Sequence, residues 1–406
     1  MRVNWKKNKN LNPDIILSKI DSIKTVSEDK KVSYSGFEYQ DAMTVLVNMV
    51  EFPRHCDGLN HESIVSRAVS NIAKDFTLEK NNVMDEVNRI VKSASATREH
   101  KFHLLTSISL SHPFPLKEVV LEEARIRIFG SDYPKKYSGR NELISRHSGI
   151  AGTPKNYAKV IVSLKEKSVK GAATKSLRVL DILRSFWCLF GNSSMEIFGE
   201  QWKPINKIRL GSAHTVHKDS GKIASDNFWY EPNFTSATIF KPQKPDIYSN
   251  NCKWALKKLA DISYSMTLKD ALLRYVRALD EKDQNVALIR LWGALEVLAA
   301  PSEANYDLVT RRCAFLFAEY DYHKQVLEHL REYRNSNVHS GDQSERAKSN
   351  CYQLQFYFYR LVLFHLKNQC EFSSLDEANS FLDLPTKKET LQNRKRLIDK
   401  AIKFVQ

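Results

Sequence analysis

The sequence predicts an α+β N-terminal region joined to an all-α C-terminal helical bundle. Three observations carry that prediction. Segments of period-two alternation occur only in the first two-thirds of the chain, as in KFHLLTSISL (101–110). A stretch with two prolines, FKPQKPDIYSNN (240–251), interrupts the pattern. Beyond it the apolar residues recur at helical spacing almost without a break. A chain of 406 residues exceeds one ordinary core. The predicted divisions are a mixed α+β region over 1–245, a bundle of four or five helices over 262–370 and a basic helical tail over 371–406.

In the N-terminal region, DAMTVLVNMV (41–50) and HESIVSRAVSNIAKDF (61–76) have the i, i+3, i+4 spacing of helices. KFHLLTSISL and LEEARIRIFG (121–130) alternate as half-buried strands do. SGRNELISRHSGIAGTPKNY (138–157) reads as loop. GAATKSLRVLDILRSFWCLFGN (171–192) is a strong helix closed by Gly-Asn. INKIRLGSAHTVH (205–217) and ASDNFWYEPNF (224–234) return to strand and turn.

The C-terminal helices are expected over 267–283, 284–300, 304–320, 323–335 and 345–368, joined by short loops that favour an antiparallel bundle. The last of these is apolar nearly all the way round, with Cys351, Leu354, Phe358 and Leu361 on one side and Phe356, Tyr359 and Leu363 on another. Such a helix is covered on both sides, and a second subunit is a natural second cover. Ser374 and Glu377 form a capping-box pattern ahead of a short final helix.

The net charge of +15 points toward a polyanionic partner. Residues 264–367 hold 14 Lys and Arg against 13 Asp and Glu, so the excess lies elsewhere. It concentrates in MRVNWKKNKN, in 155–184 and in 386–406. Solvated faces would account for any one of these stretches, whereas a near-neutral module flanked by basic surfaces would suit a catalytic unit with separate nucleic-acid contacts. Six scattered cysteines without a CxxC pair make no disulfide framework and favour a reducing cytoplasm. MRVNWKKNKN lacks the apolar core of a signal peptide. LQFYFYRLVLFHL (354–366) contains Arg360 and is too short to span a bilayer, so no membrane partner is expected. His103, His112, His214 and His217 show no zinc-ligand spacing, and no phosphate-binding glycine loop or GxSxG elbow occurs. No metal or cofactor is expected.

REYRNSNVHSG (331–341) carries the most specific chemistry. Val326, Leu327 and Leu330 set the inward stripe of their helix, and Arg334 falls four after Leu330, on the buried phase. Burying that charge unpaired costs several kcal/mol, so an anion must meet it or the face must open into a cleft. On an ideal helix His339 stands roughly 140° round the axis from Arg334. Asn335, Ser336 and Asn337, with Ser340 and Gly341 beyond, favour unwinding, which would swing the imidazole back beside the guanidinium with Val338 as anchor. An imidazole that titrates near neutrality can take a proton from a ribose 2′-OH or give one to a leaving 5′-oxygen. A guanidinium can clamp the phosphate as its charge grows. The plainer reading is an arginine in an ordinary ion pair and a histidine capping a turn. Arg140 and His147 form a second Arg/His pair, but they precede a Gly-rich loop rather than a bundle helix.

The arrangement resembles the HEPN superfamily, in particular its Apea-like branch, in which an R-x4-6-H motif precedes the last long helix of an α-bundle. Here the motif is Arg334-Asn-Ser-Asn-Val-His339. LWGALEVL (291–298) and Arg311-Arg312-Cys-Ala-Phe fit as well, and the likeness covers about 265–368. The upstream LRVLDILRSFWCLFGN helix resembles the N-terminal portions that accompany such domains. The resemblance implies a metal-independent endoribonuclease leaving a 2′,3′-cyclic phosphate, with Arg334 and His339 as the catalytic pair. Asn335 matches a commonly polar position that would contact phosphate. Glu296 would orient Arg334 or His339; the alternative is a buried ion pair with Arg311 or Arg312. Such domains dimerise so that two motifs share one cleft, and they serve as toxins or in abortive-infection and antiphage defence. RNA, a second copy of the chain and a trigger or regulatory protein are the implied partners, with the N-terminal region selecting substrate or sensing the trigger. Other members have lost catalysis and only bind RNA or nucleotides, or act as adaptors.

Overall fold

The computed structural model describes residues 2–405 except 54–55, 57–58, 147–153, 155, 193–194, 196–202, 232, 302–305 and 341–345, and except the side chains of 306 and 338–340. It has a C-terminal helical region and an N-terminal part that contains the sheet.

The first hundred residues form a helical module with its own core. β1 (Asn4–Trp5), α1 (Pro13–Ser22), β2 (Lys24–Val26) and β3 (Val32–Tyr34) are followed by α2 (Glu38–Met49), β4 (Val50–Glu51), α3 (His61–Ala73) and α4 (Lys80–Ala96). Asn12 caps α1 by accepting from the Asp14 amide at 3.1 Å, with Pro13 in the first turn. Leu17, Ile20, Leu46, Val65, Val69, Val83 and Val87 fill the centre.

A six-stranded antiparallel sheet follows, from β5 (His100–Ile108), β6 (Glu118–Leu121), β7 (Ala124–Phe129), β8 (Ala158–Glu166), β9 (Ala213–Lys218) and β10 (Trp229–Tyr230), in the order β10-β9-β5-β8-β7-β6. The central strand β8 is the one the sequence reading weighed for charge rather than alternation. Its AKVIVSL run is buried on both faces and so lacks a clean period of two. Glu122 and Glu123 make the β6–β7 turn at φ 48° and 65°, which is why the strand expected from 121 starts at Ala124. Glu122 is held from two helices, by Arg178 at 2.6 Å and Lys269 at 2.8 Å.

Where loop was expected over 138–157, α5 (Gly139–Ser145) lies across the sheet, with Arg140 and Leu143 buried. α6 (Val169–Gly191), capped by Ser168, packs on the opposite sheet face. That face presents Leu104, Val162, Val216 and Ile126, which the register sets side by side. The predicted linker is likewise replaced: α7 spans Pro245–Asp261 and buries Tyr248, Cys252, Ala255 and Leu259. Its proline occupies the first turn, where the missing N–H is no loss, so the second proline starts a helix rather than breaking one.

The remaining helices are α8 (Ser265–Ala278), α9 (Gln284–Ala299), α10 (Tyr306–Ala314), α11 (Tyr320–Ser340), α12 (Ala347–Lys367), α13 (Leu375–Leu382) and α14 (Lys388–Val405). Ser374 caps α13, accepting from the Glu377 amide at 3.1 Å. One core runs without a break from Phe102 in β5 to Leu382 in α13. The boundaries at 245, 262 and 370 therefore do not coincide with core boundaries. The reason is α6, apolar on nearly every side and so sandwiched between sheet and bundle. The same region covers part of the second side of α12, where Tyr359 and Leu363 are half-buried and Phe356 remains 43% exposed. Gln355 donates to the Asn192 carbonyl at 2.9 Å, and Phe190 meets Tyr359 edge-on at 6.4 Å. α14 stands apart, with Leu397, Ile398 and Ile402 each more than half exposed.

A buried ionic chain ties the layers together. Arg184 donates to both oxygens of Asp280 at 2.9 and 2.6 Å and to Asp181 at 2.9 Å. Arg277 bridges Asp181 at 2.5 Å and Glu231 at 2.7 Å, and Glu231 meets His214 at 3.0 Å.

Candidate functional site

α11 places the Arg/His segment against α9. Leu327 and Leu330 are fully buried, which fixes the rotation of α11 and turns Arg334 inward by the four-residue repeat. The Arg334 side chain is 16% exposed. It donates to the Asn335 side-chain oxygen Oδ1 at 3.1 Å, and its other terminal nitrogen stands 3.9 Å from Glu296.

Glu296 projects from the last turn of α9 and accepts from the Trp292 indole N–H at 2.8 Å. Burial pushes its carboxyl above the usual range, against the opposing pull of Arg334, the Trp292 hydrogen bond and Arg274. The alternative partners are engaged elsewhere: Arg311 and Arg312 both bond Asp383, at 2.9 Å and at 2.9 and 2.6 Å. The structure thus brings Arg334, Asn335 and Glu296 together.

His339 lies in the last turn of α11, and its side chain is outside the described residues. The expected unwinding does not occur before it. The backbone stays helical from Asn335 through Ser340, so Arg334 and His339 remain roughly 140° apart around the axis. Side chains hold this stretch to the start of α9: Tyr333 and Asn337, one turn apart, both donate to Asn285 Oδ1, at 2.6 and 3.0 Å. The sequence reading missed this clamp. The available signal is the polar Tyr333/Asn337 pair at i, i+4, of which only Asn337 enters the sequence analysis, as part of the helix-weakening Asn-Ser-Asn.

The second Arg/His pair is placed differently. Arg140 is buried against the sheet, donating to the Ala213 carbonyl at 2.8 Å and lying 5.1 Å above the Tyr133 ring. His147 lies outside the described residues. Among the described residues, no group of three or more His, Cys, Asp or Glu is placed to hold a metal ion. Among them, too, no helix is long and apolar enough to cross a membrane.

Chemically, the end of α11 offers a guanidinium on the wall of the bundle beside a carboxylate of weakened acidity, with an imidazole-bearing residue one turn further on. Comparison of the chain with family models, with curated proteins and with solved structures returned no match.

Proposed function

We propose that the chain is a metal-independent endoribonuclease of the HEPN type, with the bundle of α8–α12 as its catalytic unit. Arg334 clamps the scissile phosphate, and His339 takes the 2′-OH proton or protonates the leaving oxygen. Asn335 and Glu296 set the guanidinium. What most supports the reading is the convergence of Arg334, Asn335 and Glu296 at the helix end that bears His339, with Glu296 standing off at 3.9 Å rather than closing a tight pair. In this proposal the protein acts as a cytoplasmic, toxin-like effector of antiphage or abortive-infection defence.

Because α11 stays helical, the two motif residues of one chain diverge around the axis. The proposal therefore needs two copies facing each other, so that the imidazole of one serves the guanidinium of the other. The same observation favours a second reading for a lone subunit: a catalytically silent RNA- or nucleotide-binding module or adaptor. One experiment separates them. Purified protein is incubated with RNA and with DNA of the same sequence in EDTA, and the RNA ends are analysed. The nuclease reading expects RNA cleavage with 2′,3′-cyclic phosphate ends, intact DNA, and a fall of about 10²–10⁴-fold in rate for His339→Ala. RNA affinity without turnover in any oligomeric state would favour the binding module.

A further inference from the structure

The sheet face turned away from α6 carries a pattern that no single stretch of sequence displays. Register places Lys101 opposite Lys165, His103 opposite Ser163 and Ser163 opposite Arg125, and Leu105 opposite Ile161 and Ile161 opposite Arg127. In β7 the even-numbered Ala124, Ile126 and Ile128 are buried, while Arg125 is exposed and Arg127 and Phe129 are half-buried on the outer side. Cross-strand neighbours share a face, so Lys101, Lys165, Arg125 and Arg127 form one cationic field over three adjacent strands.

Aromatic rings are interleaved with these cations. Arg127 lies 5.6 Å from the half-buried Phe129 ring centre, and exposed Lys136 lies 4.9 Å from that of Tyr137, which is itself buried on Leu105 and Ile161. Tyr230, 64% exposed, pairs with Ala213 at the β10 edge and so faces the same way. Two carboxylates on this face answer part of the charge: Glu118 meets Arg125 at 3.1 Å, and Asp219 meets Lys101 and His103, both at 3.0 Å. The Glu118–Arg125 and Asp219–Lys101 pairs are about half exposed, so solvent and salt weaken them and leave these two cations able to exchange partners, whereas His103 is buried.

The centre of this face is buried beneath Tyr133, Tyr137 and α5; we propose that its open end, where Lys101, Arg125 and Lys165 are exposed, binds the sugar–phosphate backbone of single-stranded RNA. Cations two residues apart along a strand stand roughly 7 Å apart, a spacing that tracks a chain of phosphates. The half-buried Phe129 ring beside Arg127 offers a stacking edge for an unpaired base. A lipid surface would instead call for an apolar wedge beneath the charges, and here the large exposed aliphatic side chain is Val120 alone among the described residues of β5–β9. The inference deepens the ribonuclease reading, on which it rests for RNA as the ligand: a sheet-borne surface would deliver substrate to a near-neutral bundle.

The test uses the full chain carrying Arg334→Ala and His339→Ala, so that binding is read without cleavage. Affinity for a short fluorescein-labelled single-stranded RNA is measured by anisotropy across a salt series. Lys101→Gln, Arg125→Gln and Lys165→Gln together are expected to weaken binding about tenfold or more at low salt and to lower the slope of log K against log salt by about 2, at about 0.7 per lost contact. Arg125→Lys should restore part of both. Unchanged affinity and slope in a triple variant that melts like its parent would overturn the surface, as would no binding by the parent. Loss confined to Lys395→Gln, Arg396→Gln and Lys400→Gln on α14 overturns it in favour of that helix. Vesicles of phosphatidylserine losing binding while RNA binding persists would assign the face to lipid. Cleavage by the unmutated protein is scored separately, so the surface and the nuclease can fail independently.

Discussion

Two arginines in this molecule, Arg184 and Arg334, sit on helices of the same core and have opposite surroundings. Arg184 is fully buried and bonded by both oxygens of Asp280 and one of Asp181. Arg334 lies at the bundle wall, bonded to a neutral amide and 3.9 Å from its carboxylate. The carboxylates report the same contrast. Glu231, in the chain with Arg277 and His214, is driven far below the usual range, the hydrogen bond from His214 and the charge of Arg277 outweighing burial. Glu296 is pushed up, because there burial outweighs Arg334. A guanidinium closed between carboxylates is finished as a structural element. In the proposed nuclease, Arg334, with Glu296 standing 3.9 Å away, is the guanidinium that receives the phosphate.

The largest expected effect breaks the closed side. Asp280→Asn removes the bidentate partner of a guanidinium that has no access to water, and should destabilise the fold by about 3–5 kcal/mol in denaturant titration. A loss below about 1 kcal/mol would mean that the two sites differ less than their geometry suggests.

Acid sharpens the comparison through Glu231. Its depressed folded value makes its contribution complete above about 4.5, the ordinary value, and lost as pH falls from there toward the folded value. Stability should therefore decline below pH 4.5 with a slope from this group of up to about 1.4 kcal/mol per pH unit. Glu231→Gln should remove that slope in melting curves recorded against pH.

Arg334→Ala should change stability by about 1 kcal/mol or less while abolishing RNA cleavage, measured by melting and by gel assay of the same preparation. A melting loss comparable to that of Asp280→Asn would place Arg334 among the structural arginines.

The smallest effect has the opposite pH sign. A raised folded value means that ionised Glu296 opposes folding, a cost absent below about 4.5 and growing as pH rises through the folded value. Glu296→Gln should be more stable than its parent at pH 7 by a few tenths of a kcal/mol to about 1 kcal/mol, the difference vanishing in acid. If the variant also cleaves RNA more slowly, Glu296 orients Arg334 at the expense of stability.

Local chemistry made much of the fold legible. α2, α3, α6, α8, α9, α11 and α12 follow the helical spacing of their apolar residues, and α13 follows its cap at Ser374. The inward phase of Arg334 follows from Leu327 and Leu330. Besides α5, found where the sequence reads as loop, three elements carry signals that are ambiguous without neighbours. Pro245 reads alike in a linker and in a first helical turn. β8 buries both faces and so loses its period. The Asn-Ser-Asn of α11 weakens a helix in isolation but is tied to Asn285 in the folded chain.

By itself the sequence determined where helices and strands could form, which arginine phase faced inward, and that basic residues exceed acidic ones outside the bundle. Only the tertiary structure decided that sheet and bundle share one core through α6, that Glu296 turns to Arg334 while Arg311 and Arg312 turn to Asp383, and that cations from β5, β7 and β8 meet on one face. The division has a physical cause. Periodicity and capping act within a few residues of chain, whereas the partner of a charge is set by whichever distant element packing brings within a few ångströms.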